Sequence, residues 1–106
     1  MITVIVKYPE QEPLTQAITG PERLEELMEG EFEVAHDDHL EGILILVNEE
    51  VRGIKPHNFT IEADGSHDWV YGTAIFTAVE DGQLISLHDA QIALVQEYFA
   101  KTRAYK

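Results

Sequence analysis

Apolar and polar residues alternate from the start of the chain. Ile2, Val4 and Val6 interleave with Thr3, Ile5 and Lys7, and their β-branched content favours a strand. Pro9 and Pro13 bracket Glu10-Gln11-Glu12 as a hairpin connection, so Leu14 to Thr19 is predicted to run back as a short second strand. Thr19-Gly20-Pro21-Glu22 then offers a cap and a first-turn proline for a helix. Leu24, Leu27 and Met28 share its apolar face, and Gly30 ends it. From Glu31 to His36 the alternation returns, with Phe32, Val34 and His36 on the apolar side and Glu31 and Glu33 on the other. Gly42 to Asn48 is continuously apolar, as a central strand covered on both faces requires. Arg52 to Asn58, with Gly53 and Pro56, reads as irregular; Phe59 to Glu62 reads as a short strand before the turn Ala63-Asp64-Gly65-Ser66. Val70 to Val79 is predicted as one strand, joined to Leu84-Ile85 through an Asp81-Gly82 hairpin. Ser86-Leu87-His88-Asp89 reads as a capping box with Asp in place of Glu, ahead of a helix whose core positions are Ile92, Val95 and Phe99. Lys101, Arg103 and Lys106 follow near the negative end of its dipole. The predicted fold is therefore α+β: a mostly antiparallel sheet of five or six strands with two helices, the longer one C-terminal.

Composition narrows what such a fold can do. The 106 residues are enough for one domain, spanning residues 1–106, and for one small core. Twenty Asp and Glu against seven Lys and Arg give a formal charge of −13, which argues against direct binding to nucleic acid or an anionic membrane and leaves basic partners. With no cysteine, disulfides, thiolate nucleophiles and thiolate metal sites are unavailable, which points to a reducing compartment. Met1 leads straight into strand-like sequence, and no apolar run reaches the roughly eighteen residues of a spanning helix. A soluble, cytoplasmic protein is expected.

The charge is concentrated. Between Arg23 and Arg52 lie ten acids (Glu25, Glu26, Glu29, Glu31, Glu33, Asp37, Asp38, Glu41, Glu49 and Glu50) and no Lys or Arg. On a strand, Glu31 and Glu33 would repeat at roughly 6.8 Å on one face, a spacing able to present anions to a channel built for phosphates. The plainer reading of such a run is a solvated, solubilising face. His36-Asp37-Asp38-His39 suggests a second chemistry, in which His36, Asp38 and His39 supply part of a zinc site. That spacing matches no standard zinc signature, and histidines beside acids commonly make ordinary surface hydrogen bonds. Ser66-His67-Asp68 contains the residue types of a hydrolase triad, but chain neighbours do not meet in triad geometry. Glu49-Glu50 is expected to form a turn rather than a catalytic carboxylate pair. Trp69 and Tyr71 are expected in the core, or as interface anchors if they face outwards.

Two stretches carry a family likeness: Leu46-Val47-Asn48-Glu49-Glu50-Val51-Arg52-Gly53-Ile54-Lys55-Pro56-His57-Asn58, and Gly72-Thr73-Ala74-Ile75-Phe76-Thr77 continued by Gly82, Ile85-Ser86-Leu87, Asp89 and Gln91. With the opening strand and the Gly30 break, they resemble a family of small acidic proteins of unknown function carried by conjugative elements and prophages of Gram-positive bacteria. In that family a cysteine often precedes the Asn-Glu-Glu and an arginine often follows the Asn after the proline-rich turn; here Val47 and Phe59 stand in those places. The resemblance implies a bacterial host cell and a mobile-element setting, in which small acidic proteins often disable host defence, anti-CRISPR proteins being the best-known class. Together with the charge, it makes the expected function that of a non-enzymatic inhibitor. Its acidic face (Glu25, Glu29, Glu31, Glu33, Asp37, Asp38, Glu41, Glu49, Glu50) would occupy a basic, nucleic-acid-binding surface, with a Cas9-type nuclease as an example of the target. A small zinc-binding or sensing module is the alternative expectation.

Overall fold

The computed structural model describes residues 1–103, and side chains as far as Lys101. In chain order the elements are β1 (Ile2–Lys7), β2 (Leu14–Ile18), α1 (Glu22–Met28), β3 (Glu33–Ala35), β4 (Leu44–Val47), a 3-10 turn (Glu49–Val51), β5 (His57–Ala63), β6 (Ser66–Tyr71), β7 (Ala74–Glu80), β8 (Gln83–Ile85) and α2 (Asp89–Arg103). All strand pairings are antiparallel. Six strands form one sheet in the order β2-β1-β7-β4-β3, with β8 also paired to β7, and β5 and β6 form a separate two-stranded sheet. The expected α+β architecture, with its longer helix C-terminal, is what the chain adopts.

The period of two in the central strands divides the interior into two cores. Val4 and Val6 of β1, Leu46 of β4 and Ile75 of β7 pack with Ile18 and with Leu24 and Met28 of α1. On the opposite face Ile5, Ile45, Val47, Ala74, Phe76 and Ala78 meet Val95 and Phe99 of α2 and Phe59, Ile61 and Val70 of the β5–β6 hairpin. The apolar run of β4 is thus covered on both sides, as its sequence demanded. The rings of Phe59, Phe76 and Phe99 lie 5.1–5.7 Å apart and lock the hairpin and helix to the sheet. Both Asp-Gly pairs form two-residue hairpin turns with positive φ at both positions: 52° and 79° at Asp64-Gly65, 53° and 77° at Asp81-Gly82.

Four expectations are corrected. Val70 to Val79 is not one strand, because Gly72, at φ 71°, turns the chain from the small sheet into the large one. A Cβ at Gly72 would lie 3.1 Å from Val51 Cγ2, a tight contact that adds to the strain any side chain meets at this positive φ. The segment from Glu31 to His36 forms a strand only over Glu33–Ala35, because α1 ends with Glu29 and Gly30 both at positive φ and the chain settles only at Glu33. As the sheet edge, β3 leaves Val34 57% exposed, and His36 is exposed rather than on an apolar side. No side chain caps α1, whose N-cap is Pro21. Finally, the capping box of α2 lies two residues later than expected: the His88 N–H donates to Gln91 Oε1 at 3.0 Å and the Gln91 N–H to His88 Nδ1 at 3.3 Å. Ser86 is occupied elsewhere, its Oγ accepting from the Thr3 N–H at 2.9 Å. At the far end Lys101 pairs with Glu97 at 3.3 Å; the Arg103 side chain and Lys106 lie outside what is described. Among the described residues no helix is long and apolar enough to cross a membrane.

Candidate acidic binding face

The loop from His36 to Ile43 joins β3 to β4, and one carboxylate organises it. The Asp37 side chain has no exposed surface. Its Oδ1 accepts from the His39 N–H at 2.8 Å and faces His39 Nδ1 at 3.0 Å; its Oδ2 accepts from the Glu62 N–H at 2.8 Å and the Tyr98 hydroxyl at 3.0 Å. A carboxylate can only accept, so the His39 ring proton sits on Nδ1. Burial by itself would push the Asp37 carboxyl up, yet the Glu62 and His39 backbone N–H groups, the His39 ring and the Tyr98 hydroxyl outweigh it and hold the group below its ordinary value. Burial, with the charges of Asp37 and Glu62 and the hydrogen bond to Asp37, pushes the Tyr98 hydroxyl well above its usual range. The same loop is stitched to the hairpin by the Asp38 N–H to Glu62 O at 2.8 Å and the Asp64 N–H to Asp38 Oδ2 at 2.9 Å.

Asp37 is therefore not part of an acidic face, although its place in the charge run suggested it; it is a buried joint between loop, β5 and α2. The other eight expected face residues are exposed. Glu29 and Glu49 are partly compensated, by Lys55 at 3.9 Å and Arg52 at 3.4 Å. Among the described residues no Lys or Arg pairs with Glu25, Glu31, Glu33, Asp38, Glu41 or Glu50. Glu33 stands opposite Val47 on the edge strand, and Gly30 packs beside Asn48, so Glu29, Glu31, Glu33, Glu49 and Glu50 gather at one end of β3 and β4. Asp38 and Glu41 lie at the other end, around a depression of about 570 Å³ that His36 also lines. Glu31 precedes the strand, so the regular strand spacing of Glu31 and Glu33 is not built.

Among the described residues no three His, Cys, Asp or Glu side chains converge as a metal site. Within the expected zinc set, His39 is turned to Asp37 and Asp38 Oδ2 is taken by a backbone N–H. His67 lies 3.3 Å from Glu62, while Asp68 is 2.9 Å from Arg52, so Ser66-His67-Asp68 does not converge as a triad. Glu49-Glu50 forms the expected turn, capped by Asn48 Oδ1 accepting from the Glu50 N–H at 3.0 Å. Trp69 is 57% exposed, so it is not core; Tyr71 is half-buried, with Arg52 5.7 Å from its ring centroid. The hydrogen bond to Asp68, and then its charge, raise the Arg52 guanidinium above its ordinary value.

Residues not anticipated do much of the positioning. Asn58 donates to Lys7 O at 2.8 Å and Gly72 O at 2.7 Å and accepts from Lys7 Nζ at 2.9 Å, joining β1, β5 and the Gly72 turn. The Gly72 N–H in turn reaches Pro56 O at 2.9 Å. Asn48, Pro56, Asn58 and Gly72 all fall in the two stretches that carried the family likeness, and each serves a turn or a junction.

Fold and surface thus define an acidic α+β domain with a structural loop junction. The chain belongs to DUF3846, a domain family of unknown function that matches residues 2–100 and so takes in every strand and most of α2. No curated protein and no solved structure matches it.

Proposed function

We propose that this chain is a non-enzymatic binding protein whose acidic face occupies a cationic, nucleic-acid-handling surface of a partner. The observation that supports this reading is the set of six exposed carboxylates, Glu25, Glu31, Glu33, Asp38, Glu41 and Glu50, that no Lys or Arg neutralises among the described residues. A cationic groove gains from relief of its own repulsion whichever polyanion fills it, and these groups come from a helix, an edge strand, a loop and a turn rather than from one flexible tail. The mobile-element setting implied by the family likeness makes a host defence nuclease of Cas9 type the first partner to test, because such an enzyme holds its heteroduplex in a positively charged channel.

Reversal of Glu31, Glu33 and Glu41 to Lys should abolish capture of the basic partner while leaving the melting curve nearly unchanged, since solvated charges contribute little to stability. Unchanged affinity in titration calorimetry rules this face out. With a Cas9-type nuclease, the protein added before target DNA should block loading, and added afterwards should do much less. Equal inhibition in both orders refutes channel occupancy.

A further inference from the structure

The most voluminous concavity described is a groove of about 740 Å³ between the β1–β2 connection, β5 and α2, outside the acidic face. Glu10 lines it from the connection, His57 and Glu62 from β5, His67 from β6 with its ring 3.3 Å from the Glu62 carboxylate, Tyr98 from α2, and His39 from the loop. We propose that this groove seats an arginine-bearing segment of the basic partner, the guanidinium lying against the aromatic wall between the carboxylates of Glu10 and Glu62. The proposal rests on the binding-protein reading above and gives that partner a specific contact.

The wall is built in advance. The Tyr98 hydroxyl shares its one proton between Asp37 Oδ2 at 3.0 Å and Thr60 O at 2.9 Å, and its ring meets Phe99 edge-on at 5.2 Å, so binding need not order it. Phe99 is buried and its ring already carries a cation, Lys7 Nζ at 5.2 Å from the centroid, which donates to Tyr8 O and Asn58 Oδ1, so the guanidinium is placed against the half-buried Tyr98 ring. Arginine suits the remaining space better than lysine, because a planar guanidinium stacks on rings while its fork engages carboxylates. The volume falls in the range of sites that enclose a ligand, and so admits a side chain with its flanking backbone. The acidic loop borders the groove, since it lends His39 to the lining and the Asp38 N–H bonds to the carbonyl of Glu62 on the groove's own strand.

The test titrates the isotope-labelled full chain with acetyl-Gly-Arg-Gly-amide, its lysine counterpart and its citrulline counterpart, which keeps the shape of arginine without the charge. The arginine peptide should shift the amides of residues 57–62 and 98–99 selectively, the lysine peptide should bind about threefold more weakly, and citrulline should shift nothing. Glu10→Gln with Glu62→Gln should raise the half-saturation concentration about fivefold or more. The Lys reversal of Glu31, Glu33 and Glu41 leaves the groove carboxylates intact and should retain these shifts. Groove shifts that persist while no basic partner is captured would retire the nucleic-acid-mimic reading and leave the arginine seat standing. Shifts spread evenly over the acidic surface, equal shifts with citrulline, or unchanged affinity in the double Gln variant would overturn the seat.

Discussion

Replacing Asp37 with Asn removes a charge and a pair of acceptor sites from a place water does not reach, without changing side-chain volume. Two oxygens there serve four donors: the His39 N–H and ring on one side, the Glu62 N–H and Tyr98 hydroxyl on the other. An Asn keeps one oxygen and must turn its NH₂ towards one pair of donors. If it faces β5, the Glu62 N–H is orphaned, at a cost of about 1–3 kcal/mol, whereas Tyr98 retains Thr60 O. Loss of charge assistance on the remaining side adds about 1 kcal/mol. The expected total of about 2–4 kcal/mol is a large share of the 5–15 kcal/mol typical of a domain, and lowers the melting temperature by about 10 °C or more. Urea denaturation followed by Trp69 fluorescence and by circular dichroism measures it. The pH dependence gives an independent check. Because the folded carboxyl lies below its ordinary value, its contribution is complete above the unfolded value of about 3.9 and is lost as pH falls through the folded one. The gap between wild type and variant should therefore narrow below about pH 4. A loss under about 1 kcal/mol at pH 7, or a gap that stays constant under acid, would refute the view of Asp37 as the joint.

Gly72→Ala should destabilise by about 1–3 kcal/mol, since the new methyl meets Val51 at a positive φ, whereas Gly82→Ala, with open space around it, should lose only about 1 kcal/mol; equal losses in denaturation would contradict the close approach at Gly72. Gln91→Ala removes half of the α2 capping box and should cost about 1 kcal/mol by thermal melting, with no change at Ser86→Ala of that capping origin. If His36, Asp38 and His39 take zinc, a chelator should lower the melting temperature and His36→Ala with His39→Ala should abolish the drop; equal melting curves with and without chelator would end the zinc expectation.

What could be read from the sequence was what short-range chemistry decides. The β4 run, both Asp-Gly turns and the Ile92, Val95 and Phe99 stripe each carry their signal within a few residues, and each forms as expected. Gly72 lay inside a strand-like run, and that it separates two sheets depends on Val51 and Pro56, residues whose approach no local pattern encodes. The capping box failed by two residues because Ser86 and His88 both offer an acceptor, and the choice is made by β1, where Thr3 takes Ser86. Asp37 looked like the nine other acids of its stretch. Its burial depends on Glu62 and Tyr98, 25 and 61 residues away, and the only local hint was an Asp two residues before a His.

The acids that remain outside admit two physical explanations. Charge on an exposed edge strand discourages pairing with another chain, and Glu33 on β3, beside a Val34 that is 57% exposed, meets that need without any partner. Edge protection asks nothing, however, of Glu25 on α1 or of Glu41 beside the loop depression, since neither lies on β3. Solubility alone would be served equally by acids paired with bases or scattered over all faces. The proposed partner would account for the combination: unneutralised acids drawn from one stretch of chain, held on four different elements, beside a groove whose Tyr98 is bonded to the buried acid of that stretch. Asp37 thus links the two surfaces, because the bond that orients Tyr98 towards the groove is made by the loop that holds Asp38 and Glu41 outwards.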